Sequence, residues 1–362
     1  MDKRVIFAAA GSGKTTYIVN GLSEQKRSLI VTYTNGNYTN MYKKICAKFN
    51  GKWPENITLM TYFSFLYSFC YRPFLSDKIK AKGLLYEANT NRYAQLNQLQ
   101  YYLSKGKYLY SNRLSLLLEK CKVLDDIKVR ITTYFDEFII DEIQDIAGRD
   151  FSFIEQLMST NIDMLFVGDF YQHTFDTSRD GSVNKSLFDD KVSYEARFAN
   201  KGFFVDNTTL KNSWRCSKNI CDYIRCNIGI DINSNRFDTD NTSIEFISDV
   251  DSIGKIFDDN QIIKLHYQNG SESGIGHKNW GETKGEDNYQ DVCVLLNKTA
   301  ASKYKTGKLS ELPPSTKNKL YVAITRARGN VYLIDELQFC CGISTFTLTS
   351  TSHYVYKVKP ST

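Results

Sequence analysis

The sequence predicts an α/β chain built on parallel sheets, folded as two domains with a small helical insertion in the first. Three observations carry that expectation. Short, mostly apolar runs at 5–7, 29–33, 57–60, 138–140 and 165–167 alternate with helical stretches and end in small or polar residues. Strands of this kind are covered on both faces and present ligand-binding tips along one edge. A second set of runs at 244–247, 262–267, 292–296 and 331–334 repeats the pattern after a loop-rich stretch at 181–209. Finally, a small-residue loop, Ala8 to Gly13, separates the first run from the first helix. A length of 362 residues suffices for two cores. The expected boundaries are 1–180 and 181–340, with an insertion at about 70–128 and a tail at 341–362.

The loop is the most informative stretch. Residues 4–7 form a buried strand and residues 16–22 begin a helix, so "AAAGSGKTT" lies where backbone N–H groups turn onto a polyphosphate at a helix N-terminus. Ala10, Gly11, Ser12, Gly13, Lys14, Thr15 and Thr16 are the candidate nucleotide contacts. Lys14 would reach the β and γ phosphates and the Thr15 hydroxyl would hold Mg²⁺. The usual pattern begins with Gly where this chain has Ala8.

"FIIDEIQD" places Asp141 and Glu142 at the end of a buried strand, where successive side chains point opposite ways. Asp141 suits Mg²⁺, directly or through water, and Glu142 suits a base that polarises the attacking water. "LFVGDFYQH" repeats the design, with Asp169 and Gln172 following the strand; Gln172 would sense the γ-phosphate or that water. From the second half, Arg215 and Arg326 are candidates for the cation that meets charge developing on the γ-phosphate.

Composition narrows the partners. The chain is 42% hydrophobic and 24% charged, ordinary for a globular protein, and its net charge of +6 permits a polyanionic partner. Aromatic residues are abundant, with 24 Tyr and 22 Phe, and some can stack on bases. Residues 76–122 carry nine Lys or Arg against three acids, plus six Tyr, and read as helical. That stretch is either a solvated lid or a nucleic-acid face. The segment 269–288 reads as an exposed functional loop or a flexible one. The Thr/Ser-rich tail reads as an edge hairpin or a docking strand. No apolar run approaches the roughly 18 residues of a membrane span, and the first strand starts at once, so no signal peptide is expected. Nine Cys without a C-x-x-C pair point to reduced thiols and a cytoplasmic setting. Four scattered His make a His-based metal site unexpected.

Taken together, the motifs resemble those of the UvrD/Rep family of superfamily-1 DNA helicases over about residues 4 to 335. The loop from Ala8 to Thr15 fits that family's phosphate loop, Ala at the first position included. Val31-Thr32-Tyr33-Thr34-Asn35 and Thr61-Tyr62-Phe63-Ser64-Phe65 match its two strand-contacting motifs, Ia and Ib. Asp141-Glu142-Ile143-Gln144-Asp145 matches motif II, and Val167-Gly168-Asp169 with Gln172 matches motif III. Leu210 with Trp214-Arg215 follows as motif IV, Thr283-Lys284-Gly285 with Asp287 as a loose motif V, and Val322 to Arg328 as motif VI. The resemblance implies two RecA-like domains with ATP and Mg²⁺ between them and stepping along single-stranded DNA, 3′ to 5′ in most relatives. It implies nucleic-acid contacts at Thr34, Asn35, Thr61, Phe63, Phe175, Thr283 and Lys284, and a nucleotide contact at Gly285.

Three departures qualify the resemblance. The upstream glutamine segment with which relatives read adenine has no counterpart before the first strand, which leaves nucleotide selectivity unassigned. Phe175 keeps the first aromatic position after motif III, but Thr177 stands where relatives have Trp. Between motifs IV and V only residues 216–282 replace a domain of about two hundred residues. The expected product is a minimal motor acting with a nuclease or effector partner, by analogy with helicase subunits of phage-defence operons. The competing readings are a regulatory ATP-binding switch with little translocation, an RNA-directed motor and, more distantly, a small-molecule kinase.

Overall fold

The computed structural model describes residues 2–337 apart from 88, 90, 92, 175–181, 238–240, 273, 275 and 287. Phe175, Thr177, Asp287 and the tail therefore lie outside the described residues. The first sheet contains β1 (Lys3–Phe7), β2 (Ser28–Thr32), β3 (Ile57–Thr61), β4 (Glu137–Asp141), β5 (Asp163–Gly168) and β6 (Phe204–Asp206). Every pairing is parallel, in the order β3-β2-β4-β5-β1-β6. Register aligns the tips: Phe7 lies opposite Gly168, Val167 opposite Asp141 and Thr32 opposite Thr61. The residues that follow each strand thus line one edge, about 4.8 Å apart from strand to strand.

Period-two alternation splits the strand side chains between two layers. Ile6, Ile30, Ile139 and Val167 meet α1 (Lys14–Gly21) and α2 (Asn35–Lys48) through Ile18, Val19, Met41 and Ile45. Val5, Phe7, Val31, Phe138, Ile140 and Phe166 face an aromatic layer on the other side. To that layer α3 (Leu114–Lys120) and α4 (Leu124–Tyr134) add leucine and isoleucine, while its aromatic rings come mainly from residues 62–71, α5 (Gly148–Leu157) and α6 (Lys191–Ala199).

The second sheet contains β7 (Ile244–Ile247), β8 (Ile263–His266), β9 (His277–Asn279), β10 (Val292–Leu296) and β11 (Val331–Asp335), parallel in the order β7-β11-β10-β8-β9. The helices α7 (Lys218–Tyr223), α8 (Val250–Asp258), α9 (Lys298–Lys305) and α10 (Pro314–Ile324) accompany it. Its larger core includes Ala9 and Ala10 of the phosphate loop, so the two domains share buried surface there. Among the described residues no helix is long and apolar enough to cross a membrane.

Three expectations change. The first domain extends beyond residue 180, because β6 pairs with β1; three residues after Gly202 are too short a run to announce a strand. The insertion is not predominantly helical: Gly83–Leu85 pairs in parallel with Tyr108–Tyr110, and between them only Leu99–Tyr102 is helical among the described residues. Asn89 and Asn91 accept hydrogen bonds from the backbone N–H groups two residues on, at 2.8 and 3.1 Å, which competes with helix formation. The 269–288 stretch is anchored by β9 and by Trp280, which is fully buried and donates from Nε1 to the Leu265 carbonyl at 3.0 Å.

Candidate active site

The phosphate loop is held from three sides. Ala8 N–H donates to Gly168 O at 2.7 Å, Ala9 N–H to Leu210 O at 2.8 Å and Ala10 N–H to the Tyr321 hydroxyl at 3.0 Å. Gly11 has φ 68°, and a β-carbon there would lie 2.6 Å from Cβ of Arg215, so only glycine fits both the turn and the close approach. The loop delivers Lys14 and Thr15 to the first turn of α1, with Lys14 buried.

Opposite stands a carboxylate cluster. Glu142 adopts φ 60°, a left-handed conformation that costs about 1–3 kcal/mol in a non-glycine residue and turns its carboxylate toward Lys14, 3.5 Å away. Gln144 donates its amide to Glu142 and accepts from Asp169 N–H at 3.0 Å, tying the tips of β4 and β5 together. Burial pushes Asp141 up to about 7, with repulsion from Glu142 adding to it. Burial also opposes charge on Glu142, but Lys14 and Lys284 outweigh it and hold that carboxylate down at about 2. Asp169 rises to about 6, again mainly through burial. Burial disfavours the Lys14 charge as well, yet Glu142, Asp169 and Asp141 hold its ammonium above the usual value.

Ser12 Oγ and Asp141 Oδ1 are buried without a hydrogen-bond partner. Buried polar atoms are normally satisfied. Two orphans beside Lys14 and the half-buried Thr15 fit a site for a phosphate-bound Mg²⁺, which takes one or two protein oxygens and keeps the rest for phosphate and water.

The second domain closes the cluster. Lys284 reaches across to Asp145, donates to Gln172 O at 2.9 Å and lies 3.9 Å from Glu142. The sequence motif assigns it to the nucleic acid, whereas its burial among first-domain carboxylates places it in the cleft. Its neighbour Gly285, expected on the nucleotide, has φ 85° and sits where a β-carbon would approach Asn37 Oδ1 of α2 at 3.3 Å. Thr283 is fully buried, with its hydroxyl donated to Trp280 O at 3.1 Å, so it presents nothing to a strand.

The two arginines differ. Arg215 lies against Gly11, its guanidinium donating to Thr325 O at 3.0 Å, and its charge is felt at Lys14. Arg326 is buried and donates to Val322 O, Thr283 O and Glu286 O at 3.1–3.2 Å, bracing the 283–286 loop. Trp214 donates its backbone N–H to Gly11 O at 2.9 Å while the residue is 64% exposed, an aromatic platform beside the phosphate loop. Thr16, expected on the nucleotide, accepts from Lys44 of α2 at 3.0 Å.

Along the same edge, Thr34 and Thr61 cap two helix starts, accepting from Asn37 N–H at 3.1 Å and Ser64 N–H at 3.3 Å. Thr34 and Asn35 are exposed. Phe63 meets Tyr33 on one side and Tyr86 of the insertion on the other, at ring distances of 6.1 and 5.4 Å. Beyond Tyr86, which is 70% exposed, Lys82, Lys105 and Lys107 are exposed too.

No family model matches the chain, and no curated protein matches it. Among solved structures it is similar to the PRRSV helicase, at 14% identity over 92% of this chain and 52% of that one, with a TM-score of 0.45. It is similar also to arterivirus nonstructural protein 10, a helicase solved in complex with DNA, at 15% identity over 94% of this chain and 62% of that one, with a TM-score of 0.49. The chain thus spans about half to three fifths of the length of these proteins.

Sequence reasoning missed Gln144, Asp145 and Tyr321 as members of the cluster. Gln144 and Asp145 stand within motif II, two and three residues after Glu142. Tyr321 reaches its partners across 152 and 311 residues, a separation that no local pattern reveals.

Proposed function

We propose that this chain hydrolyses ATP between its two sheet domains and couples the cleft's opening and closing to movement along single-stranded DNA. One observation carries the reading: a phosphate loop, two strand-tip carboxylates and a lysine from the other domain converge on a single buried cluster. In this reading Gly11 to Thr15 hold the phosphates, and Thr15 and Asp141 hold Mg²⁺, which supplies charge neutralisation at the phosphates. Glu142, ionised across the neutral range, orients and polarises the attacking water. Arg215 meets charge developing on the γ-phosphate, while Arg326 braces the loop that carries Lys284. Trp214, exposed beside the phosphate loop, stacks on the base.

The strand in this reading crosses Thr34, Asn35, Thr61 and Phe63 and continues onto Tyr86 and the insertion lysines, where stacking combines with phosphate neutralisation. Membership in the UvrD/Rep family, 3′-to-5′ movement, a cytoplasmic setting and a nuclease or effector partner in DNA metabolism or phage defence belong to the same reading; motif order supports the first two, the cysteine pattern the third and analogy the last.

The test is steady-state ATP turnover with and without single-stranded DNA, single-stranded RNA and duplex, at low and moderate salt. Stimulation by single-stranded DNA that weakens with salt is the expected result. A flat, low rate under every condition would overturn the motor and favour a nucleotide-dependent switch.

A further inference from the structure

The structure assigns to Tyr321 a role as a positioning residue: it is the link through which the carboxylate cluster of the first domain holds helix α10 of the second. This inference rests on the proposed ATP-driven motor and deepens it.

The geometry is a continuous chain of hydrogen bonds. Glu142 accepts from the Gln144 amide, and Gln144 Oε1 accepts from Asp169 N–H at 3.0 Å. Asp169 Oδ2 accepts from the Tyr321 hydroxyl at 3.1 Å, and that hydroxyl accepts from Ala10 N–H at 3.0 Å. Each direction is fixed by chemistry. A peptide N–H can only donate, so the phenol oxygen accepts from Ala10 and its single proton goes to Asp169. The same logic orients Gln144, whose carbonyl must face Asp169 N–H and whose amide must then face Glu142.

Every member except Glu142 is essentially excluded from water: Ala10, Gln144, Asp169 and Tyr321 are at most 1% exposed. Unsatisfied groups there are costly, so a shift at one end is passed along rather than absorbed by solvent. The far end is mechanically useful. α10 is capped at its C-terminus by Thr325, whose carbonyl receives Arg215, and continues into Arg326, which braces the Lys284 loop. Displacing Tyr321 therefore displaces both arginines. A phenylalanine would keep the ring, including its edge contact with Tyr171 at 6.1 Å, and lose both hydrogen bonds.

The experiment measures linkage. Affinity for a fluorescent oligodeoxythymidylate is titrated with and without a non-hydrolysable ATP analogue and Mg²⁺. For the unaltered chain the analogue is expected to change that affinity within the usual range of coupling, about 5- to 150-fold. In Tyr321→Phe the ratio is expected to fall to within about twofold of one. Gln144→Met cuts the same chain two links away and should do likewise, and the double variant should lose no more than either single. A loss of packing alone would weaken analogue or strand binding and leave the ratio intact.

Retention of the ratio in Tyr321→Phe, or independent losses that multiply in the double variant, would overturn the relay while leaving the motor standing. No linkage in the unaltered chain would overturn the motor, and the relay with it.

Discussion

Asp141 and Glu142 are adjacent carboxylates in one buried cluster, yet they are driven in opposite directions. Lys14 and Lys284 hold Glu142 ionised, whereas Asp141 keeps an oxygen without a partner. Glu142→Gln removes a charge and keeps the shape, so ATP binding is expected to persist while turnover falls by about two to four orders of magnitude; single-turnover hydrolysis and nucleotide titration check both parts. Wild-type turnover in this variant would remove Glu142 from the mechanism. The same residues set a pH dependence. Asp141 and Asp169 have raised values of about 7 and 6, so the folded chain binds more protons than the unfolded one from about pH 4 upward. Their contribution to stability is present at low pH and lost as pH rises through those values. Glu142, depressed to about 2, works oppositely and only below about pH 4.5. Burial holds His277 down at about 4, which opposes this trend below about pH 6.5, so melting temperature without Mg²⁺ is expected to fall between about pH 6.5 and 8, and Mg²⁺ with nucleotide should flatten that slope by favouring ionised Asp141. Thermal melts at the two pH values, with and without the ligand, decide it.

Among the elements, the insertion departs most from expectation and makes the clearest prediction. Lys82 N–H donates to Lys107 O at 2.7 Å across the short strand pair, which brings exposed lysines together at one end of it. Tyr86 stands at the other end, about 13 Å away along the strand. Replacing Lys82, Lys105 and Lys107 with Ala is expected to weaken single-strand affinity and lower the salt slope by about two, at about 0.7 for each phosphate no longer neutralised. Equal affinity and slope in the triple variant would make this end of the insertion a solvated lid. Strands such as β2 and β10 were legible because every residue in them is buried and mostly β-branched or Leu. By contrast β6 and β9 are three-residue edge strands, set by pairing with β1 and β8 rather than by their own composition. The phosphate loop was legible because its chemistry is local. Lys284 was not, because its cleft partner Asp145 is 139 residues away and becomes a neighbour only when the second domain docks.

For the molecule as a whole, that docking depends on buried polar contacts as much as on apolar ones. Ala9 and Ala10 lie in the second domain's core, Tyr321 holds Asp169, and Lys284 sits among Asp145, Glu142 and the Gln172 carbonyl. Removing one partner of such a buried pair leaves uncompensated charge and costs about 3–5 kcal/mol, far more than an exposed ion pair. Lys284→Ala should therefore loosen the domain interface before it loosens either sheet, since Lys284 sits in neither apolar core. The tryptophans allow that to be seen, because Trp53 contacts the first domain's core and Trp280 lies in the second's. In chains retaining only one of them, denaturant unfolding is expected to coincide for the two reporters when Lys284 is present. In Lys284→Ala the transitions should separate, with the less stable domain moving to lower denaturant. Coincident curves with a loss below about 1 kcal/mol would mean that solvent screens the cluster as it screens surface pairs. The cleft would then be held by the shared apolar surface around Ala9 and Ala10, and Lys284 would bear on chemistry rather than on assembly.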